Sequence, residues 1–462
     1  MPTDSALAQS DKQYSLHPYT PLKANRENGP FVISRGDGIY VHDESGKRYL
    51  EGMAGLWCTS LGFSEQRLVD AATRQLHELP YSHLFAHRST PPAIELAEAL
   101  VKMAPEGIER AFFTNSGSEA VDTAIKFAWY YHEAQGNPQR KTFLARRRAY
   151  HGVTVAAGSL TGLPYAQEGF GLPAIPVEHL TTPHAYREAH NNESEQDFVT
   201  RLISELEAVI AKRGADTIAA FIAEPVMGAG GVLLPPQDYF ARVQAVLDKH
   251  GILFIADEVI CGFARTGNWW GCDTYGIRPD IVTSAKQLSS AYQPIGATMI
   301  NARVYDALET QSTKLGTFGT GFTYGGHPVA AAVALETLRI YQSDDILGRV
   351  QSVSPRFLER VQALQNHPLV GQARGAGLIG AIELVADKSS KRPFDTDKKI
   401  AMAVSNAAKE HGVIVRPVPG DAVAFCPPLI IDEDGIDELF DAVGAALNDV
   451  ASSLRSSRDS SQ

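Results

Sequence analysis

Cysteine is scarce in this sequence: Cys58, Cys261, Cys272 and Cys426 are all that 462 residues contain. Their spacing fits neither a zinc site nor a disulfide framework, so four reduced thiols are expected. Basic residues are outnumbered, 42 Lys and Arg against 53 Asp and Glu, for a net charge of −11. That balance argues against gripping nucleic acid or an anionic membrane by bulk charge. It says little about a small substrate, because one local arginine can outweigh the mean field. No apolar run approaches the roughly 18–20 residues of a membrane span. The opening MPTDSALAQSDKQYSLHPYT has no basic start followed by an apolar stretch. No signal peptide is therefore expected, and a cytoplasmic location is. No internal repeat is visible.

What the sequence does have is apolar content, 44% of its residues, enough for a large core and two or three domains. Residues 1–30 are polar and read as a flexible arm. IYVHDESGKRYL, from Ile39 to Leu50, reads as a β-hairpin and falls in a segment, 31–75, assigned to a small domain. Over 76–330 helical periods alternate with short apolar runs. AFFT (111–114), TFLAR (142–146), IAAFIAE (218–224), ILFIADE (252–258) and DIVTSA (280–285) are strand candidates. EAVDTAIKFAWYYHEA and DYFARVQAVLDKH are helices. This alternation predicts an α/β domain with a mostly parallel sheet covered on both faces, whose ligands sit at the carboxyl ends of its strands. Residues 331–455 read as a connector helix and the rest of a small α+β domain, and 456–462 as a disordered tail.

The chemically notable residues fall at those strand ends. After AFFT comes Asn115-Ser116-Gly117-Ser118-Glu119, a turn into a helix. Free amides and the helix dipole make it a phosphate cradle, and Gly117 lets the backbone approach closely. It serves equally as a plain serine N-cap, and it is neither a Walker loop nor a GxGxxG fingerprint. Asp257 ends five apolar residues, where a carboxylate needs a cationic partner: a buried ion pair, or a protonated heteroaromatic nitrogen. Glu224 ends the preceding strand in the same way. Lys286 follows DIVTSA and so stands beside the site, where desolvation makes an amine nucleophilic. Tyr150, in Tyr150-His151-Gly152, can stack on a flat cofactor or pack locally. His151 can act as acid or base.

Together these segments resemble the class III aminotransferases, the ω-transaminase group of fold-type-I pyridoxal-phosphate enzymes, and most closely the amine:pyruvate transaminases. The likeness runs from about residue 30 to 450, through NSGSEA (115–120), AYHG (149–152), AEPVMGAGGV (223–232), FIADEVICGFARTG (254–267), SAKQL (284–288) and GFTYGGHP (321–328). The resemblance implies pyridoxal 5′-phosphate held by Lys286 as a Schiff base. Asp257 would bind the pyridine nitrogen, and Val259 and Tyr150 would take the two ring faces. Ser116, Gly117 and Ser118 would hold the phosphate, and Glu224 and His151 would support the cofactor. Phe322 and Thr323 would reach the phosphate from a partner subunit, in a homodimer with shared sites; dimer against tetramer stays open. Tyr19, Leu56, Trp57, Phe85 and Tyr150 would line the substrate pocket. Arg416 would swing in to bind the acceptor's carboxylate. The partners implied are a small amine donor and an oxo acid, used in ping-pong order.

Two departures bear on the acceptor and donor. Relatives that use 2-oxoglutarate often carry EPIQGEGG, with a second glutamate five residues after the first; here position 229 is Ala and 227 is Met, which favours pyruvate. Ala86 stands where an aromatic is frequent, which widens the donor pocket. Gln287 replaces a common glycine after the lysine, and Gly325 a common serine. The competing readings are a mutase or decarboxylase on the same scaffold, a 2-oxoglutarate transaminase, a nucleotide-binding oxidoreductase, which lacks its glycine-rich fingerprint here, and a non-catalytic relative, which would have lost Lys286 or Asp257.

Overall fold

The computed structural model describes residues 5–459. A seven-stranded sheet occupies its centre, in the order Ile108–Thr114, Gly296–Asn301, Ile281–Ser284, Leu253–Asp257, Ile218–Ala223, Thr142–Arg146, Val177–Leu180. Gly296–Asn301 runs antiparallel to both neighbours, and the pairs from Ile281–Ser284 outward are parallel. All residues of Leu253–Asp257 and Ile218–Ala223 are buried, as expected for strands covered on both faces. One cover is the helix Gly117–Ala134, which buries Val121, Ala124, Ile125 and Ala128. The helices Glu195–Arg213 and Tyr239–His250 also bury apolar residues, and each ends at a glycine with positive φ, Gly214 and Gly251.

The smaller α+β unit draws on both chain ends. The hairpin strands Tyr40–Asp43 and Arg48–Glu51 sit in one sheet with Ile33–Asp37, and Val413–Ile414 joins beside Arg48–Glu51. A second sheet orders Val370–Ala376, Ile379–Leu384, Ala422–Phe425 and Arg416–Val418. The connector helix Pro328–Ser343 packs on Gln66–Glu78, on Pro91–Met103 and on the turn that holds Lys286. Its Tyr341 hydroxyl donates to the Gln287 carbonyl at 2.6 Å.

Two expectations need correction. The stretch read as a flexible arm is regular over much of 5–30, where it contains the helices Ala6–Tyr14 and Leu22–Asn28. Ser5 caps the first by accepting from the Ala8 amide, and Gly29, at φ 75°, ends the second. The tail expected from 456 is helical through Asp459, because the closing helix Glu433–Asp459 continues into it. Residues 1–4 and 460–462 lie outside the described residues. Among the described residues no helix is long and apolar enough to cross a membrane.

Candidate active site

The strands that carry Glu224, Asp257 and Lys286 are neighbours in the sheet, so their carboxyl ends open on one cavity. Asp257, 4% exposed, is the most densely bonded group there. Its Oδ2 lies 2.7 Å from His151 Nδ1, and its Oδ1 accepts from the Thr283 hydroxyl and the Val259 amide, both at 3.2 Å. An ionised carboxylate only accepts, so Nδ1 carries the histidine proton. That leaves His151 Nε2 buried and without a partner among the described residues. Glu224 is also buried; its Oε1 accepts from the Tyr150 amide at 3.0 Å and its Oε2 from the Gly228 amide at 2.9 Å. Burial pushes the Glu224 carboxyl above the usual carboxylate range.

Lys286 sits two residues past Ile281–Ser284, at φ 46°, a left-handed conformation uncommon for lysine. Gln287 braces this turn. Its side-chain amide donates to the carbonyls of Ile260 and Gly262, at 2.8 and 2.9 Å. The departure from glycine at 287 therefore has a packing role. Burial lowers the Lys286 amine pKa, opposed chiefly by the negative Asp257. A lowered pKa raises the share of neutral, nucleophilic amine.

The cavity, about 90 Å³, is also lined by Gly117, Ser118, Tyr150, Gly152, Val259 and Ile260. Ser116 caps the helix Gly117–Ala134 by accepting from the Glu119 amide at 3.2 Å, and Glu119 takes up the Asn115 amide at 2.7 Å. The amides of Gly117 and Ser118 belong to the first turn, which has no intrahelical acceptor for them. A Cβ at Gly117 would lie 3.0 Å from Val259 Cγ1, and one at Gly152 would meet Ser118 Oγ at 2.7 Å. The two glycines thus keep open a cleft between an anion-binding helix end and the Asp257 carboxylate. A phosphorylated pyridine aldehyde would find the groups it needs here: the helix-end amides would hold its phosphate, Asp257 its ring nitrogen and Lys286 its aldehyde.

Arg416 approaches from the small-domain sheet. Burial lowers its pKa, and Tyr165, Tyr150 and Tyr19 are its electrostatic neighbours. Tyr19 hydrogen-bonds Tyr150 and meets Tyr165 edge-on, with centroids 6.0 Å apart. Leu56 is exposed, whereas Trp57 is 2% exposed and packs in a cluster with Met53, Val226 and Ile260. Phe85 and Phe322 stand apart from Lys286: within one chain they line a second cavity, and the Thr323 carbonyl accepts from Tyr81 there. Thr283 and Tyr165 were not anticipated from sequence. A hydroxyl inside the apolar run DIVTSA is a signal for Thr283; Tyr165 lies in an irregular stretch that offers none.

A seven-stranded, mostly parallel sheet with a lysine, an aspartate and a helix-end cradle at one edge defines a fold-type-I pyridoxal-phosphate enzyme. The aminotransferase class-III family model matches residues 22–447. The chain belongs to the class III aminotransferases, which use pyridoxal 5′-phosphate. It is 49% identical over 435 residues to gamma aminobutyrate transaminase 3, chloroplastic, of Solanum lycopersicum, covering 94% of this chain and 84% of that protein. The ω-transaminase of Pseudomonas jessenii, solved in complex with PMP, superposes with a TM-score of 0.95 at 50% identity, covering 97% of this chain and 99% of that one. A transaminase solved with L-Ala gives a TM-score of 0.90 at 53% identity, over 92% of this chain and 100% of that one.

Proposed function

We propose that this aminotransferase moves the amino group of a primary amine or ω-amino acid to pyruvate, releasing alanine and an aldehyde or ketone. Arg416 carries the reading. It is a half-buried guanidinium with Tyr165, Tyr150 and Tyr19 as electrostatic neighbours, and among the described residues it has no ion pair. Such a group is a ready receptor for one carboxylate. Ala229 supplies no glutamate to hold it away. A second carboxylate, as in 2-oxoglutarate, would need another cation. The nearby Arg148 is already committed to the Gly230 and Pro419 carbonyls, at 2.7 and 2.8 Å. The structure solved with L-Ala supports an alanine–pyruvate pair, and the relatives named for γ-aminobutyrate support an ω-amino acid donor.

In this reading the bound cofactor supplies the aldehyde that takes the amino group and the ring that accepts electrons. Lys286 Nζ tethers it, then takes and returns the proton of the donor's reacting carbon. Asp257, oriented by His151 and Thr283, keeps a proton on the ring nitrogen. The Gly117 and Ser118 amides, with Ser118 Oγ, hold the phosphate. Tyr150 and Val259, which line the same cavity, would take the two faces of the ring. Phe85, Phe322 and Thr323 belong to the site of a second copy, in a homodimer. Their placement away from Lys286 within one chain supports that assignment.

The test is a panel of a diamine, an ω-amino acid and an arylalkyl amine, each with pyruvate and with 2-oxoglutarate. Alanine is the expected product, with glutamate formed roughly 10- to 100-fold more slowly, the cost of one unmatched charge. Arg416→Ala should raise the KM for pyruvate by a similar factor and leave the amine half-reaction unchanged. No alanine from any donor, in cofactor-loaded protein, would sink the reading.

A further inference from the structure

The turn after the strand Arg48–Glu51 borders the Lys286 cavity: its Trp57 shares a buried cluster with Ile260, which lines that cavity, and its Cys58 lies within electrostatic reach of Lys286. Its backbone is strained: Ala54, Gly55 and Trp57 have φ of 45°, 66° and 66°. Residues with a Cβ avoid that region, and such strain survives only where the surroundings over-determine it. Part of the restraint is internal. The Trp57 amide donates to the Met53 carbonyl, and the Cys58 and Thr59 amides both donate to the Ala54 carbonyl.

The rest comes from Glu51. Its Oε1 accepts from the Met53 amide at 3.1 Å, and the Gly55 amide bonds the same carboxyl. Glu51 is 4% exposed and has no cationic partner among the described residues. A buried carboxylate without a cation is costly unless amides satisfy it, and here the amides belong to the strained turn. The strand end cannot drift to relieve the turn. A Cβ at Gly52 would meet the Ile414 carbonyl oxygen at 2.7 Å and Leu439 at 2.9 Å. The titratable groups facing Glu51 are the Cys58 and Cys426 thiols, both raised by burial, and Cys58 in turn faces Lys286.

We propose that Glu51 is a specificity-determining positioning residue: its carboxylate clamps the 53–57 turn and so sets how far Leu56 and Trp57 intrude on the donor side of the cavity. The inference rests on the transaminase reading for its pocket, not on the choice of acceptor. Burial pushes the Glu51 carboxyl up to about 8, against the pull of the Met53 and Gly55 amides. A protonated carboxyl accepts more weakly, so the clamp loosens as pH falls through about 8. A looser turn widens the pocket and favours bulky donors over slender ones.

The experiment follows the donor half-reaction of the holoenzyme alone, without acceptor, with 1-phenylethylamine and with n-butylamine. The readout is the ratio of their rate constants, each expressed per concentration of unprotonated amine, in which changes common to both amines cancel. Glu51→Gln should raise the bulky-to-slender ratio at pH 9 by roughly three- to tenfold, the size of one hydrogen bond. The wild-type ratio should fall as pH rises through about 8, and the Glu51→Gln ratio should stay flat. Trp57 fluorescence, isolated by difference against Trp57→Phe, should follow the same titration in the wild type and lose it in Glu51→Gln. A ratio unchanged in Glu51→Gln, or flat in the wild type from about pH 7 to 9, overturns the proposal. If Glu51→Gln does not fold, the wild-type profile decides. If neither amine reacts with the wild type, the transaminase reading has failed, and the Trp57 titration still tests the clamp.

Discussion

The cavity at Lys286 and the cavity at Phe85 and Phe322 are built on different physics. Around Lys286 the walls are polar and already bonded: Asp257 to His151 and Thr283, Glu224 to two backbone amides. Both carboxylates are held before a ligand arrives, which is what preorganised chemistry requires. The second cavity, about 890 Å³, is lined by Phe85, Phe112, Phe113, Phe318 and Phe322, with Lys126 as its one charge. Phe85 is 46% exposed and the neighbouring Tyr324 61%. Contiguous exposed aromatics of this kind mark a surface that another molecule covers. One chain therefore holds the groups that handle protons and charge, while the aromatic wall is left for a second copy in the proposed dimer.

That contrast can be broken at its strong end first. Lys286→Ala should abolish the long-wavelength absorbance of the bound cofactor and cut turnover by on the order of 10³-fold or more. A surviving band at wild-type intensity would show that another lysine does the work. A change at the aromatic cavity should act on assembly before chemistry. Phe322→Asp places an unpaired carboxylate on that wall and should weaken self-association by roughly 10²-fold in sedimentation. A wild type that is monomeric at micromolar concentration would remove the shared-site proposal. The smallest effect separates the two uses of one hydroxyl. Ser116 caps its helix, so Ser116→Ala should lower the stability of the cofactor-free protein by about 1 kcal/mol and change cofactor affinity little. A large loss of affinity at unchanged stability would make Ser116 a phosphate ligand instead.

Much of the site was legible because strand ends are local. Leu253–Asp257 and Ile281–Ser284 announce themselves as apolar runs, and a parallel sheet aligns the residues that follow them. The turn that precedes Gly117–Ala134 was legible for the same reason, as a strand, a small turn and a helix in sequence. The helices Ala6–Tyr14 and Leu22–Asn28 were missed because their stretches are short and polar, with one buried residue, Ala8, between them. His151 was readable only as an acid or base of open role. Its bond to Asp257 spans 106 positions, and nothing in the local pattern of either residue encodes it.

By itself, then, the sequence determined the α/β class and the standing of Lys286 and Asp257 at strand ends, because hydrophobic period and covalent order are local properties, and the family through the resemblance of its motifs. The tertiary structure alone decided what those groups touch. It put His151 and Thr283 on Asp257, gathered Tyr19, Tyr150 and Tyr165 about Arg416, parted Phe85 and Phe322 from Lys286, and set the Glu51 carboxylate under the turn of Trp57. Such contacts depend on the packing of distant segments, where a carboxylate is worth what its neighbours make it.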